Sequence, residues 1–208
     1  MTTKILVAFY SRTGSVESLA KAIAEGAKAR GAEVRLRRAR DIVGPEVMAQ
    51  APGWTDSSAR MDALYPAPTA EDAEWADGIV LGTPTRFGAI SAELKAYIDG
   101  LGLLWFQGKL VGKAGSVFTS TSSPHGGNEA TLLSLYPPLA HLGLIIVPLG
   151  YSDPVMFRAG TPYGASSVSH GPQAAPPTAD DLEVARFQGA RVASVAAALA
   201  RVRVPEPA

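Results

Sequence analysis

Three polar, glycine-containing segments carry the residue types from which an anion or cofactor site can be built. The first is Ser11-Arg12-Thr13-Gly14-Ser15-Val16, which lies between an apolar run and a helical stripe. Hydroxyls and the free N–H groups of a helix start hold a phosphate without a paired cation. The same residues also suit a turn whose Ser/Thr side chains simply cap the helix. The second segment, Gly82-Thr83-Pro84-Thr85-Arg86-Phe87-Gly88, offers exposed amides and an aromatic tip. It suits the edge of a flat heterocycle, or else a plain turn with Phe87 plugged into the core. The third is Ser120-Thr121-Ser122-Ser123-Pro124-His125-Gly126-Gly127. Its His-Gly-Gly string is that of an esterase oxyanion loop, but the chain has no G-x-S-x-G nucleophile elbow, which argues against a serine hydrolase.

Other chemistries fall away on the same reading. The first loop lacks the G-x-G-x-x-G turn of dinucleotide-binding folds. Gly108 to Lys113 comes close to a nucleotide-triphosphate loop but is one residue short, and Ala114 stands where a Ser/Thr would hold magnesium. There is no cysteine, so disulfides, thiolate metal sites and Cys nucleophiles are excluded. His125 and His170 have no partners at metal-ligand spacing, so no metal is expected. Asp77 and Asp99 read as helix-end and turn residues.

The elements that must position these loops follow from hydrophobic periodicity. Lys4 to Tyr10 is a short apolar run, as in a strand buried on both faces. Val16, Leu19, Ala20, Ile23, Ala24 and Ala27 form one helical stripe, which Gly31 ends. Glu33–Arg38 alternates and is basic on one side, which predicts an edge or near-edge strand. Further strands are expected at Gly78 to Gly82, Lys113 to Ser120 and Leu144 to Val147. Helices are expected at Thr69 to Ala76, over Ile90 to Leu101, over Leu132 to Leu142 with Asn128 as N-cap, and from Thr178 to about Arg201. Residues 44–69 read as a surface meander with at most short helices, and 148–178 as an irregular insertion after the last strand. Five strands alternating with five helices specify an α/β fold with a doubly wound parallel sheet, right-handed crossovers and helices on both faces. Ligands bind such sheets beyond the carboxyl ends of the strands, where all three loops fall.

Composition sets the outer bounds. The 208 residues are 47% hydrophobic and 18% charged, enough apolar material for a real core. Their 21 glycines and 16 prolines fall short of the roughly 25–30% that marks low complexity. Lys+Arg and Asp+Glu balance at 19 each, so no net field recruits nucleic acid or acidic lipid. No apolar run reaches the ~18–20 residues of a membrane span. A cytoplasmic protein of one domain over 1–208 is expected.

Seven strings together resemble the WrbA family of flavodoxin-like, FMN-binding NAD(P)H:quinone oxidoreductases. They are Tyr10-Ser11-x-x-Gly14, Gly82 to Gly88, Gly102-Leu103-Leu104-Trp105, Ser116 to Thr121, Leu139-Ala140-His141-x-Gly143, Ile146 to Tyr151 and Gly160-Thr161-Pro162-Tyr163-Gly164-Ala165. The resemblance runs from residue 4 to about 200 and is weakest over 44–69. It implies a flavodoxin-like five-stranded sheet in the order 2-1-3-4-5 and FMN as cofactor. Ser11 to Val16 then match the phosphate loop, Pro84, Thr85, Arg86, Phe87 and Gly88 the isoalloxazine edge, and Ser120 to Gly126 a third flavin loop. That last loop is one residue longer here and carries Ser-Ser-Pro-His where glycines and a threonine are usual. Trp105 and His141 match residues that frame the substrate pocket, with His141 also beside the flavin. The family often has an aromatic at the position of Thr13, so the choice between NADH and NADPH stays open.

The implied reaction is two-electron quinone reduction by ping-pong hydride transfer. The alternatives are a one-electron flavodoxin-type carrier, which generally carries strong acidic charge, and a non-enzymatic regulatory binder. A homo-oligomer is expected as well. An insertion of some thirty residues bearing Tyr151, Met156, Phe157 and Tyr163 is too apolar to be left in water, and so is Leu103 to Phe106. The resemblance points to a tetramer with shared active sites.

Overall fold

The computed structural model describes residues 2–171 and 175–202; residues 172–174 of the insertion lie outside these. In β1 (Lys4–Phe9) every side chain after the first is fully buried, so this strand is covered on both faces. It pairs in parallel with β2 (Glu33–Arg38) on one side and β3 (Gly78–Pro84) on the other. β4 (Ala114–Thr121) joins β3, and β5 (Ile145–Ile146) joins β4, giving the order β2-β1-β3-β4-β5. β2 is the half-buried edge its alternation predicts. Its Arg35 and Arg37 reach Asp72 of α4 (Ala70–Trp75), whose start carries a Thr69 capping box.

Alternate residues feed two cores. Ile5, Val7 and Phe9 pack with α1 (Ser15–Ala29) and α8 (Ala179–Val202). Leu6, Ala8 and Tyr10 pack with α5 (Ala92–Asp99) and α7 (Asn128–His141). α1 and α8 lie backbone against backbone: a Cβ on Gly26 would sit 1.9 Å from the Arg186 carbonyl oxygen, and one on Gly189 would sit 1.9 Å from that of Ile23. Among the described residues no helix is long and apolar enough to cross a membrane.

The structure departs from expectation at four points. The 44–69 segment is not mainly a meander with short helices: besides α2 (Pro45–Met48) it holds the 11-residue α3 (Trp54–Leu64), which buries Trp54, Ser58 and Met61. A short α6 (Gly102–Phe106) also precedes β4. Gly127, in the left-handed region at φ 96°, is the N-cap of α7, and Asn128 is its first residue. The insertion, finally, does not follow a finished fifth strand; it interrupts one. β5 pairs only with Ala114–Gly115, the chain loops out through a 3₁₀ turn at Pro154–Phe157, and β6 (Ser166–Val168) returns to pair with Thr119–Thr121. Five lanes are therefore filled by six strands.

Gln188 of α8 closes the gap between β5 and β6. Fully buried, it donates to Ser116 Oγ and the Val117 carbonyl at 2.8 Å each and accepts from the Ala165 N–H at 3.0 Å. It replaces the backbone partners that an unbroken fifth strand would supply. Gln188→Leu strands a buried N–H and C=O, so it is expected to cost about 2–4 kcal/mol, read as a shifted denaturation midpoint.

Candidate functional site

The carboxyl ends of β1, β3, β4 and β6 open into a cleft of about 510 Å³, within the size range of small-molecule sites. At its base β1 passes through Tyr10 into the first loop. Gly14 adopts φ 114°, a conformation L side chains rarely take, and its N–H donates to Ser11 Oγ at 3.1 Å. Among the described residues no side chain caps α1. The loop hydroxyls therefore do not cap α1, and its first N–H groups are left open. Ser11, Arg12, Thr13, Ser15 and Val16 all line the cleft.

Behind this loop lies a buried charge network that sequence reasoning missed. Asp41 accepts from Tyr10 Oη and Trp54 Nε1 on one carboxylate oxygen, both at 2.7 Å. Its other oxygen accepts from Ser58 Oγ and Arg38 Nη2, both at 2.6 Å. Arg38, with no solvent exposure, also donates to the Ser11 carbonyl at 3.2 Å and pairs with Asp62 at 2.5 Å. Burial by itself would raise the Asp41 carboxyl, but the hydrogen bonds from Ser58, Arg38, Tyr10 and Trp54 outweigh it and hold it at about 2. Burial and the bond to Asp41 push the Tyr10 phenol well above its ordinary range. A second knot ties α3 to α1. Glu17, in the first turn of α1, takes Arg60, Lys21 and the Tyr65 hydroxyl, which together overcome burial and set its carboxyl at about 2. The supposed meander is thus the support of the first loop. Its only sequence signal was Trp54, Ser58 and Met61 at helical spacing.

The other two loops are bonded to each other. The Thr85 N–H donates to the Ser120 carbonyl at 2.9 Å, and Thr85 Oγ1 receives the Gly88 N–H at 3.2 Å and the Thr131 hydroxyl at 2.8 Å. Thr85 Oγ1 also donates to the Gly126 carbonyl at 3.4 Å. Pro84, Thr85 and Arg86 line the cleft, as do Ser120, Thr121 and Ser122. Ser123, Pro124, His125 and Gly126 form the outer turn of the third loop, where the Gly126 N–H donates to the Ser123 carbonyl. Phe87 does not plug the core. It stands fully exposed at φ 54°, with Gly88 following at φ 76°. Four wall residues were not anticipated: Ala51 and Pro52 before α3, and Ser169 and Gly171 after β6. The last two arrive because β6 is a strand of the sheet, so its carboxyl end must open on the same edge. The buried Ser167 hydroxyl of β6, whose residue is in register with Ser120, has no hydrogen-bond partner among the described residues.

Trp105 and His141 do not join this cleft within one chain. α7 starts at the cleft and runs back, so His141 lies at the amino-terminal edge of the sheet, where Ile145 pairs with Ala114. α6 reaches the same edge, and the Gly112 N–H bonds to the Gly143 carbonyl there. Leu103, Trp105 and Phe106 are 67, 54 and 81% exposed.

The donor set of the cleft fits FMN: an uncapped helix start with hydroxyls for a phosphate, and two polar turns bonded to each other for a ring edge. Comparison with known proteins agrees. A family model described as NADPH-dependent FMN reductase matches residues 1–153. The chain is 45% identical to NAD(P)H dehydrogenase (quinone) 3 of Rhizobium meliloti (strain 1021), over 95% of this chain and 93% of that protein. It is 43% identical to NAD(P)H dehydrogenase (quinone) of Paracoccus denitrificans (strain Pd 1222), over 99% and 100%. Among solved structures, a WrbA-like flavodoxin from Agrobacterium tumefaciens superposes with a TM-score of 0.66 at 26% identity, covering 95% of this chain and 99% of that one. The sheet order, the loops and these relatives agree: the chain belongs to the NADPH-dependent FMN reductase family, among its WrbA-like NAD(P)H dehydrogenases (quinone).

Proposed function

We propose that this chain reduces quinones with NAD(P)H in two half-reactions at one FMN site, and that the site is complete only in a homo-oligomer, a tetramer. The observation that carries the reading is the convergence of three loops on a cleft above the uncapped start of α1. Ser11, Thr13, Gly14, Ser15 and Val16 would hold the phosphate through N–H groups and hydroxyls; Pro84 to Gly88 and Ser120 to Gly126 would flank the ring. Bound FMN supplies the two-electron chemistry, taking a hydride from the nicotinamide and passing both electrons to the quinone. The quinone leaves as hydroquinone after gaining two protons, and the nicotinamide leaves oxidised. If both substrates reach the cofactor through this one cleft, they would take turns. A cytoplasmic location accords with the need for a nicotinamide reductant.

Trp105 and His141 enter from a second copy. Both are solvent-facing on the edge opposite the cleft, in an apolar patch that a lone chain has no reason to expose. Tyr151 and Phe157 of the insertion, 59 and 76% exposed with tilted rings 5.3 Å apart, give a second such patch. Trp105 would cover the flat acceptor, and His141 would donate a proton to its oxygen. Steady-state rates over both substrates should give parallel double-reciprocal lines, and heating should release FMN. Intersecting lines, or a chromophore other than FMN, would refute the reading.

A further inference from the structure

The geometry points to a second anion subsite beside the first loop, where the Arg12 guanidinium takes the 2′-phosphate of NADPH. It deepens the functional reading above and rests on it, since it selects between the two reductants. The Arg12 guanidinium lies over the face of Trp54, 4.2 Å from the ring centroid. That indole is 8% exposed and its Nε1 is anchored on Asp41, itself held by Arg38, Tyr10 and Ser58. Burial and this hydrogen bond hold the ring in place, and its face attracts the cation laid on it.

Arg35, Arg37, Arg38, Arg40 and Arg60, on neighbouring elements, each pair with a carboxylate. Among the described residues Arg12 has no such pair, although it lines the cleft and is half-buried. A guanidinium seated over an aromatic ring and without a carboxylate partner keeps its N–H donors for a phosphate, which it can grip in bidentate fashion. The cofactor phosphate does not need it, because the open N–H groups of α1 and the hydroxyls of Thr13 and Ser15 already provide for that dianion. Arg12 is seated instead on Trp54, the first residue of α3, and lines the same cleft as Ala51 and Pro52 just before that helix. NADPH differs from NADH only by one phosphate monoester on the adenosine ribose, the chemistry this cation recognises.

The test titrates FMN-loaded protein calorimetrically with adenosine 2′,5′-bisphosphate and with AMP. The bisphosphate should bind at least tenfold more tightly than AMP. Arg12→Met should erase that difference and Arg12→Lys should keep part of it. In steady state Arg12→Met should lower the ratio of kcat/KM for NADPH to that for NADH at least tenfold. Equal binding of the two probes, or an unchanged ratio, overturns the proposal. So does a variant that loses FMN affinity while keeping the ratio, because Arg12 then serves the cofactor phosphate. Bisphosphate binding that depends on Arg12, in a protein whose FMN neither dinucleotide reduces, supports the subsite and refutes the reductase reading instead.

Discussion

Asp41→Asn is expected to lower stability by about 3 kcal/mol, since it breaks a buried ion pair and leaves the fully buried Arg38 guanidinium with Asp62 alone. Four donors converge on this carboxylate, two on each oxygen. An amide nitrogen at either position faces two of them, so no rotamer of Asn restores the set. For a chain of this size the melting temperature should fall by roughly 6–12 °C. Because Arg38 also holds the Ser11 carbonyl, FMN affinity should drop about tenfold, equivalent to ~1.4 kcal/mol. Unchanged melting and unchanged FMN affinity would refute the network's role. The pH dependence has a definite sign. The Asp41 and Glu17 carboxyls sit at about 2 in the folded protein, below their ordinary values. Their stabilisation is complete above the unfolded values near 4 and is lost as pH falls toward 2. Denaturation midpoints taken between pH 5 and 2 should fall less steeply in Asp41→Asn than in the unaltered protein.

The second large effect concerns Trp105. Trp105→Ala should lower kcat/KM for the quinone by about 10–100-fold, a loss of ~1.4–2.7 kcal/mol of transition-state binding, with FMN content retained. His141→Ala should act in the same direction. A shared site adds a sharper expectation. Gly14→Val, which forces a branched side chain into φ 114°, should abolish FMN binding. Its Trp105 and His141 remain intact. Unfolding Gly14→Val and Trp105→Ala together and refolding them as mixed oligomers should restore quinone turnover well above the sum of the two separate variants. No restoration in mixtures shown by mass to be hybrid would place each site within one chain. Activity should also fall on dilution as assembly and cofactor binding loosen together.

Much of this architecture was written in hydrophobic pattern. Strands buried on both faces read as apolar runs, and the stripe from Val16 to Ala27 could only be a helix against them. Once those elements were placed, three cofactor-type loops had to fall on one sheet edge. What escaped notice had no such pattern. β6 is Ser-Ser-Val, three residues paired with β4 and held by a glutamine from α8, and nothing in its composition distinguishes it from a loop. α3 sits among Pro, Gly and Ala and buries a serine in its stripe, because Ser58 bonds to Asp41 instead of filling an apolar core. Asp41 belongs to no periodic pattern and Arg38 only ends the basic alternation of the second strand; the return of α3 over the first loop buries them together. Asn128 was misplaced by one residue because a left-handed glycine, and not a side chain, begins α7.

Anaerobic titration of the FMN-loaded protein bears on the proposed reaction as a whole. One equivalent of NADPH per flavin should bleach the yellow colour, and one equivalent of benzoquinone added afterwards should restore it fully. A protein that keeps its colour with either dinucleotide, or that holds no flavin, would contradict the proposed reaction.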